Sequence, residues 1–462
     1  MSKIPVIAIF DVGKTNKKLL LFNEQYKVVH EESLQLEETK DEDGFACEDI
    51  DALSKWVWQK FWQFAAHESY DIKAVNFSAY GASFMHLNDF YKPLTPLYNY
   101  LKPYPAHLKK QFYETYGGES LIAKETASPV LGSLNSGMQL YRLKYEQPSI
   151  YKQVKYSLHL PQYLSFIVSS RVASDITSVG CHTQLWDFRK NKYHKWVYDE
   201  GMRTKFAPIY RGDKIVHIPN DSRKLAIGIG LHDSSAALIP YLSAFNEPFL
   251  LLSTGTWCIS LNPFNHTQLS DYDLHHDCLC YLSYQGKPVK ASRLFAGYEH
   301  EQQVKKIAAH FNVKDDFYKN VTYEHALINN LHQYSEPAID SSTAMAQESA
   351  FGKRSLSDFK NVGEAYHQLM MDIMHQQVRS TKFVMQGSPV KKIFVDGGFG
   401  KNTIYMQLLA AAFPQIEVYA ASVAQATALG AALAIHAHWN KNPLPADIIQ
   451  LKHYAVKNTL VL

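Results

Sequence analysis

Residues 6–22 read VIAIFDVGKTNKKLLLF, and residues 249–261 read FLLLSTGTWCISL. Each is an apolar run, a short turn carrying Gly with Thr or Lys, and a second apolar run. The unit occurs once in each half of the chain. A turn held between two strands aims backbone N–H groups, hydroxyls and ammonium groups at one point, which is how proteins hold phosphate. Two such turns predict two similar domains closing on one nucleotide. Pro240 and Pro248 bracket the expected boundary, which separates residues 1–244 from residues 245–462.

The first turn contains Gly13-Lys14-Thr15, which invites a Walker A reading. That motif needs a Gly where Ala8 stands, and a helix after the Thr, whereas Leu19 to Phe22 is an apolar strand. What remains is Asp11 at a strand end, Gly13 for a tight turn, and Thr15, Asn16 and Lys18 as donors. Asp11 is placed to hold the water shell of Mg²⁺. An ordinary polar hairpin has the same pattern, and the turn alone does not choose. The second turn, Ser253-Thr254-Gly255-Thr256, has two hydroxyls flanking a Gly.

Two further segments carry chemistry. At residues 395–402 a strand runs into Gly397-Gly398-Phe399-Gly400-Lys401-Asn402, and a helix pattern follows. Glycines there let backbone approach a flat or charged ligand, and a helix N-terminus favours anions. At residues 230–237, His232-Asp233 leaves a buried strand and opens a small-residue helix. Asp233 reads either as an N-cap or as a catalytic carboxylate kept ionised by the helix end.

The rest of the chain sets bounds. Its 462 residues are enough for two or three domains. Lys+Arg 47 against Asp+Glu 44 gives a net charge of +3, so nothing points to nucleic acid. The five cysteines (Cys47, Cys181, Cys258, Cys278, Cys280) form no disulfide framework and fit a reducing compartment. Cys278 and Cys280 follow His275 and His276, but their alternation reads as a strand, not a metal site. With no signal peptide and no apolar run of about 20 residues, a cytoplasmic protein off the membrane is expected. Apolar spacing predicts helices over residues 49–66, 150–170 and 362–385, with Asp49 or Asp51 capping the first. Strands are expected over residues 73–77, 227–231 and 392–395, and a strand or turn over 171–177. Strands feeding helices make an α/β protein.

The order of these segments is more specific than any one of them. The Asp11 turn, His232-Asp233, Ser253-Thr254-Gly255-Thr256, Gly397-Gly398 with Asn402, and Ala426-Thr427-Ala428-Leu429-Gly430 follow one another along the chain. This order resembles the FGGY carbohydrate kinases, a branch of the actin-like ATPase superfamily, almost end to end. The resemblance implies two actin-like (ribonuclease H-like) domains, each a mixed β-sheet flanked by helices, with a nucleotide and sugar cleft between them. Residues 1–244 would be the sugar-binding domain and 245–462 the nucleotide-binding domain. His232 before Asp233, Gly255-Thr256-Trp257, and Thr183-Gln184-Leu185 are similar to the kinases of 6-deoxy-ketohexoses.

What the resemblance implies is ATP-dependent phosphorylation of a ketose hydroxyl, L-rhamnulose first, with L-fuculose or xylulose as alternatives. ATP and Mg²⁺ are the expected cofactors. Asp233 would be the general base and Asp11 would hold Mg²⁺ through water. Gly13, Lys14, Thr15, Asn16, Lys18, Thr254, Gly255 and Thr256 would surround the phosphates. Gly397, Gly398 and Asn402 would line the adenosine site, and Tyr80, Gly81 and His232 would face the sugar with Asp233. No nucleic acid or membrane partner is expected, and a homodimer is admitted.

The chain departs from the family pattern in places. Lys14 stands where a small hydroxyl residue is usual, Phe399 replaces a Gly, and Gln425 replaces a frequent Glu. The Asp-x-Arg that contacts sugar is absent from Tyr98-Asn99-Tyr100-Leu101-Lys102-Pro103. These departures motivate a reading of another class, a nucleotide-binding regulator of actin-like fold without sugar chemistry. His86 reads as a structural strand histidine, Lys305-Lys306 and Lys391-Lys392 as solvated faces, and His436 and His438 as surface residues without partners.

Overall fold

The structure is a computed structural model that describes residues 2–219, 221–332, 349–423 and 425–455. It divides into two compact α/β units. The first holds residues 1–244, 280–288 and 424–448; the second holds 245–279, 289–423 and 449–462. The expected first domain, 1–244, is thus joined by two later segments.

In the first unit, β1 (Ile4–Val12), β2 (Lys17–Asn23) and β3 (Val28–Leu34) form an antiparallel meander. Helix α1 (Ile50–Ala65) follows. It buries Ile50, Leu53, Val57, Phe61 and Phe64, one face at the three-and-four spacing of a helix, and the Asp49 carboxylate accepts from Ala52 N–H at 2.9 Å as its cap. β4 (Tyr70–Ala79) lies parallel to β1. After an irregular helical region comes α2 (Leu160–Ser169), then β5 (Ile215–Val216), β6 (Ala226–Gly228), β7 (Leu231–His232) and α3 (Asp233–Ala244). The sheet order is β5-β6-β4-β1-β2-β3, with β7 also on β4.

The second unit repeats this plan. β8 (Phe249–Thr254), β9 (Cys258–Asn262) and β10 (Pro288–Leu294) form a second antiparallel meander. Helices α4 (Ala296–Phe311) and α5 (Val362–Met385) intervene. β11 (Lys392–Gly397) then lies parallel to β8, and after α6 (Thr403–Ala412), β12 (Glu417–Ser422) lies parallel to β11. β13 (Gln450–Tyr454) closes the edge antiparallel to β12, as β5 does beside β6. Order and polarity match over these six strands, although the chain forms a further strand, Cys278–Leu282, between β9 and β10 in sequence, so the repeated turn at 6–22 and 249–261 marks a repeated sheet.

α7 (Ala426–Ala434) belongs to the first unit, against α3. A Cβ on Gly430 would stand 1.8 Å from the Ala236 carbonyl oxygen. Gly430→Ala therefore forces the two helices apart and is expected to cost about 1–3 kcal/mol, read as a lower thermal midpoint. The small residues of this helix serve close packing.

Two sequence expectations are corrected. The helix over 150–170 is three elements: a helix Pro148–Gln153, a strand Tyr156–His159 and then α2. Pro161 sits in the first turn of α2, where a missing N–H is harmless, and so starts a new helix instead of continuing one. The intervening strand pairs with Phe84–Leu87. His436 and His438 have partners: Tyr26 Oη lies 2.6 Å from His436 Nδ1, and His438 Nε2 lies 3.1 Å from the Asp213 carbonyl. The short turn after α7 folds them back onto the first unit. His86 is buried against Ser157 Oγ at 2.9 Å, as a structural histidine should be. Among the described residues no helix is long and apolar enough to cross a membrane.

Candidate active site

In the first unit the carboxyl ends of β1, β4 and β7 come to one edge. Asp11 is in register with Ser78, and His232 with Ala79. That is where open α/β sheets place ligands. Asp11 is largely buried and accepts from Thr427 Oγ1 on α7 at 2.5 Å. Desolvation raises its carboxyl to about 6, Thr427 opposes the rise, and the Asp233 charge adds to it. Asp233 is the first residue of α3. Burial raises its carboxyl to about 6 as well, against hydrogen bonds from Ser234 N–H and Oγ.

His232 is fully enclosed. Burial lowers its imidazolium to about 4, so the ring is neutral at pH 7. Its Nε2 lies 3.4 Å from Asp233 Oδ1, and it stacks on Tyr281 at 5.7 Å. A Cβ on Gly81 would stand 2.8 Å from this ring, so Gly81 is required for the close approach. Tyr80 donates from Oη to Glu48 Oε2 at 3.2 Å and meets Tyr100 edge-on at 5.9 Å. The residues expected on the sugar, Tyr80, Gly81, His232 and Asp233, thus share the same edge as Asp11.

The turn Gly13–Asn16 is closed by Gly13 N–H donating to Asn16 O at 2.9 Å, and Thr15 and Asn16 are exposed. Lys14 is drawn to Glu38, an ion pair that accounts for the residue's direction in this turn. Lys18 lies 3.1 Å from both Glu31 Oε1 and Gln425 Oε1. Lys17, which the sequence reading passed over, is almost wholly buried. Its Nζ lies 2.8 Å from Glu48 Oε1 and donates to Lys14 O at 3.0 Å. Glu48 therefore ties Lys17, next to the turn, to Tyr80. The strand alternation Lys17-Leu19-Leu21 was the available signal, since it puts Lys17 on the core face.

In the second unit, Thr254 ends β8 beside Gly397 at the end of β11. Thr254 Oγ1 donates to Asp396 O at 2.6 Å and accepts from Phe399 N–H at 3.1 Å, and Gly398 N–H donates to Thr254 O at 2.9 Å. Gly397 has φ +93°, and a Cβ there would stand 1.9 Å from Thr254 O, so only Gly fits. A Cβ on Gly297, at the start of α4, would stand 1.8 Å from Gly255 O, so the glycine required there is Gly297, and Thr256 O accepts from Tyr298 N–H at 3.1 Å. Asn402 caps α6 by accepting from Tyr405 N–H and donates to Tyr366 Oη at 2.7 Å. Thr254, Gly255, Gly297, Gly398 and Asn402 border a cavity of about 550 Å³, also lined by His300, Tyr318, Lys319 and Lys401, whereas Gly397 and Thr256 do not line it. Phe399, the Gly replacement, lines it and stacks on Tyr405 at 4.6 Å. The size suits a nucleoside-sized ligand.

Comparison with known proteins adds an independent line. The N-terminal domain of the FGGY family of carbohydrate kinases matches residues 6–239, and the carbohydrate kinase FGGY C-terminal domain matches residues 246–443. A rhamnulokinase from Halalkalibacterium halodurans is 25% identical over 182 residues, 38% of this chain. That match spans only 37% of the relative's length. Among solved structures, a carbohydrate kinase from Novosphingobium aromaticivorans superposes with a TM-score of 0.80 at 20% identity, covering 99% of this chain and 96% of that one. A ligand-bound xylulose kinase from Lactobacillus acidophilus gives 0.76 at 16%, covering 98% and 94%. Plasmodium falciparum glycerol kinase with ADP gives 0.73 at 16%, covering 95% and 90%. These likenesses show a shared fold, two α/β units of the actin-like kind.

Proposed function

The chain belongs to the FGGY family of carbohydrate kinases, and from that premise we propose that it transfers the terminal phosphoryl group of ATP to a hydroxyl of a ketose. The observation that carries this reading is Asp233, a desolvated carboxylate at the start of α3, in the same unit as Asp11 and beside a neutral His232. A carboxyl raised to about 6 is ionised at pH 7.5 yet basic enough to take a proton from a sugar hydroxyl. Phosphoryl transfer otherwise demands positioning and charge neutralisation.

The donor set at Asp11 fits Mg²⁺: a hard carboxylate, buried and with the negative charge of Asp233 nearby. Asp11 would hold the ion through water, and the ion would neutralise phosphate charge. Gly13, Lys14, Thr15, Asn16, Lys18, Thr254, Gly255 and Thr256 would position the phosphates. Gly397, Gly398 and Asn402 would border the adenosine. Tyr80, Gly81, His232 and Asp233 would hold the sugar, with Tyr100 and Tyr281 as additional ring walls.

For the sugar we take L-rhamnulose, on the partial likeness to a rhamnulokinase and on His232-Asp233 with Gly255-Thr256-Trp257. ADP release measured across L-rhamnulose, L-fuculose, xylulose and glycerol tests this. The highest kcat/KM on L-rhamnulose supports the assignment, and a preference for xylulose or glycerol overturns it.

The pH profile follows from the two carboxylates. Both must be ionised, and both titrate near 6. The rate is therefore expected to fall below pH 6, with a logarithmic slope approaching about 2 at limiting Mg-ATP. Saturating Mg-ATP holds Asp11 ionised, and the slope should relax to about 1. A flat profile down to pH 5 contradicts the assignment.

A further inference from the structure

Beside Asp233 lies a cluster of which the phosphoryl-transfer reading uses only His232. Cys181, His182 and His232 each present a ligand atom, and the three atoms lie within 4.8 Å of one another. All three belong to the first unit. The position a Gly81 Cβ would take is 3.0 Å from His232 Nε2 and 3.2 Å from Cys181 Sγ, so Nε2 and Sγ face the same spot. Asp233 Oδ1 lies 3.4 Å from Nε2, next to the cluster but not among its three mutually close ligand atoms.

The orientation of these groups is held from outside. His182 Nδ1 lies 3.2 Å from the Leu134 carbonyl, the contact that places the second ring nitrogen's lone pair opposite. Its ring stands edge-on to His232 and to Tyr281. His232 is clamped by the Tyr281 stack, and its backbone N–H donates to Thr177 Oγ1 at 3.0 Å. The Cys181 thiol donates to Ser178 O at 3.3 Å.

We propose that Cys181, His182 and His232 form a binding site for a thiophilic divalent ion such as Zn²⁺, and that occupying it silences the sugar site. One sulfur and two imidazoles, with a fourth position left for water, are a zinc set and a poor magnesium set. The Zn–S bond forms as the Cys181 thiol proton leaves to solvent. The silencing rests on the reading of Asp233 as the base and of His232 at the sugar, because the ion would take His232 and its charge would lower the proton affinity of the neighbouring carboxylate. A second cluster, Glu125, Asp187 and His194, has a similar spacing. It differs in being neutralised already, by Arg189 on Glu125 and Lys190 on Asp187.

The test uses the full chain with Co²⁺ and Zn²⁺ alone as probes. One equivalent of Co²⁺ is expected to give a thiolate-to-cobalt charge-transfer band that Zn²⁺ displaces. Cys181→Ser should abolish the band and weaken Zn²⁺ binding by at least about tenfold. His182→Gln should weaken it as well, and Cys278→Ser should leave the band intact. Zn²⁺ should inhibit turnover in competition with sugar, and Cys181→Ser should keep its basal turnover and escape inhibition. No band at one equivalent, or a band retained in Cys181→Ser, overturns the site. Binding with undiminished turnover overturns the silencing. Because the cobalt band needs no catalysis, it reports on the site even if the kinase reading fails.

Discussion

Asp233→Asn is expected to lower kcat about 10³-fold while leaving ATP binding unchanged. The amide keeps the shape and the helix-start position of Asp233 but cannot take the hydroxyl proton. Loss of folding is separable from loss of chemistry here, because the two effects have opposite signs. The folded-state carboxyl is raised to about 6 from its ordinary value of 3.8. Its contribution to stability is complete below pH 3.8 and is lost as the pH rises through about 6. At pH 7.5 the ionised carboxylate, desolvated although its side chain is 30% exposed, is a burden on the native state. Asp233→Asn removes it, so the thermal midpoint at pH 7.5 should hold or rise while turnover collapses. A variant that loses midpoint and turnover together would show Asp233 to be structural.

Lys17→Met has the largest expected effect on stability. Lys17 and Glu48 are both buried, with the ammonium between the Glu48 carboxylate and Lys14 O. Removing one partner of a buried pair leaves an uncompensated charge, at a cost of about 3–5 kcal/mol. Lys17→Met/Glu48→Gln should recover most of that loss, since the glutamine carbonyl still accepts from Tyr80 Oη and no charge stays unpaired. The double-variant cycle on thermal unfolding reads the coupling directly. The rescued double variant should keep a near-normal sugar KM, because the glutamine still holds Tyr80. If the single and double variants are equally destabilised, the pair does not act as described.

The elements most readable in the sequence were those whose periodicity is local. α5 was expected over 362–385 and occupies those residues; it is buried all round over 365–374 and on one face at Gln377, Val378, Ser380, Thr381 and Val384, so its long run without Pro carries the helix. The repeated turn announced the repeated sheet, because alternating apolar strands around a polar turn have few other uses. The broken helix at 148–169 was misread because the strand Tyr156–His159 is stabilised by a partner about 70 residues away, at Phe84–Leu87. Periodicity within a window does not contain that information.

The candidate site divides in the same way. Asp11, Asp233 and the glycine turns stand at strand ends, where a carboxylate or a Gly is conspicuous. Lys17 and Glu48 were not found, because a buried lysine looks like a surface lysine until its partner is known. Thr427 is a lone hydroxyl among alanines, and its contact with Asp11 spans most of the chain. Thr254 was expected as a phosphate donor. Its hydroxyl instead bridges two backbone turns, through Asp396 O and Phe399 N–H. In the proposed reading, the neighbouring backbone N–H groups and Thr256 then share more of the phosphate contact.

The most direct test of the central claim is the sugar dependence of ADP release, with the product followed by mass spectrometry, in the unaltered chain and in Asp233→Asn. The expected result is one phosphorylated ketose per ADP in the unaltered chain, no ADP release without sugar, and neither product in the variant. ADP release that ignores every sugar, or a variant that phosphorylates ketose at near-normal rate, would contradict the account.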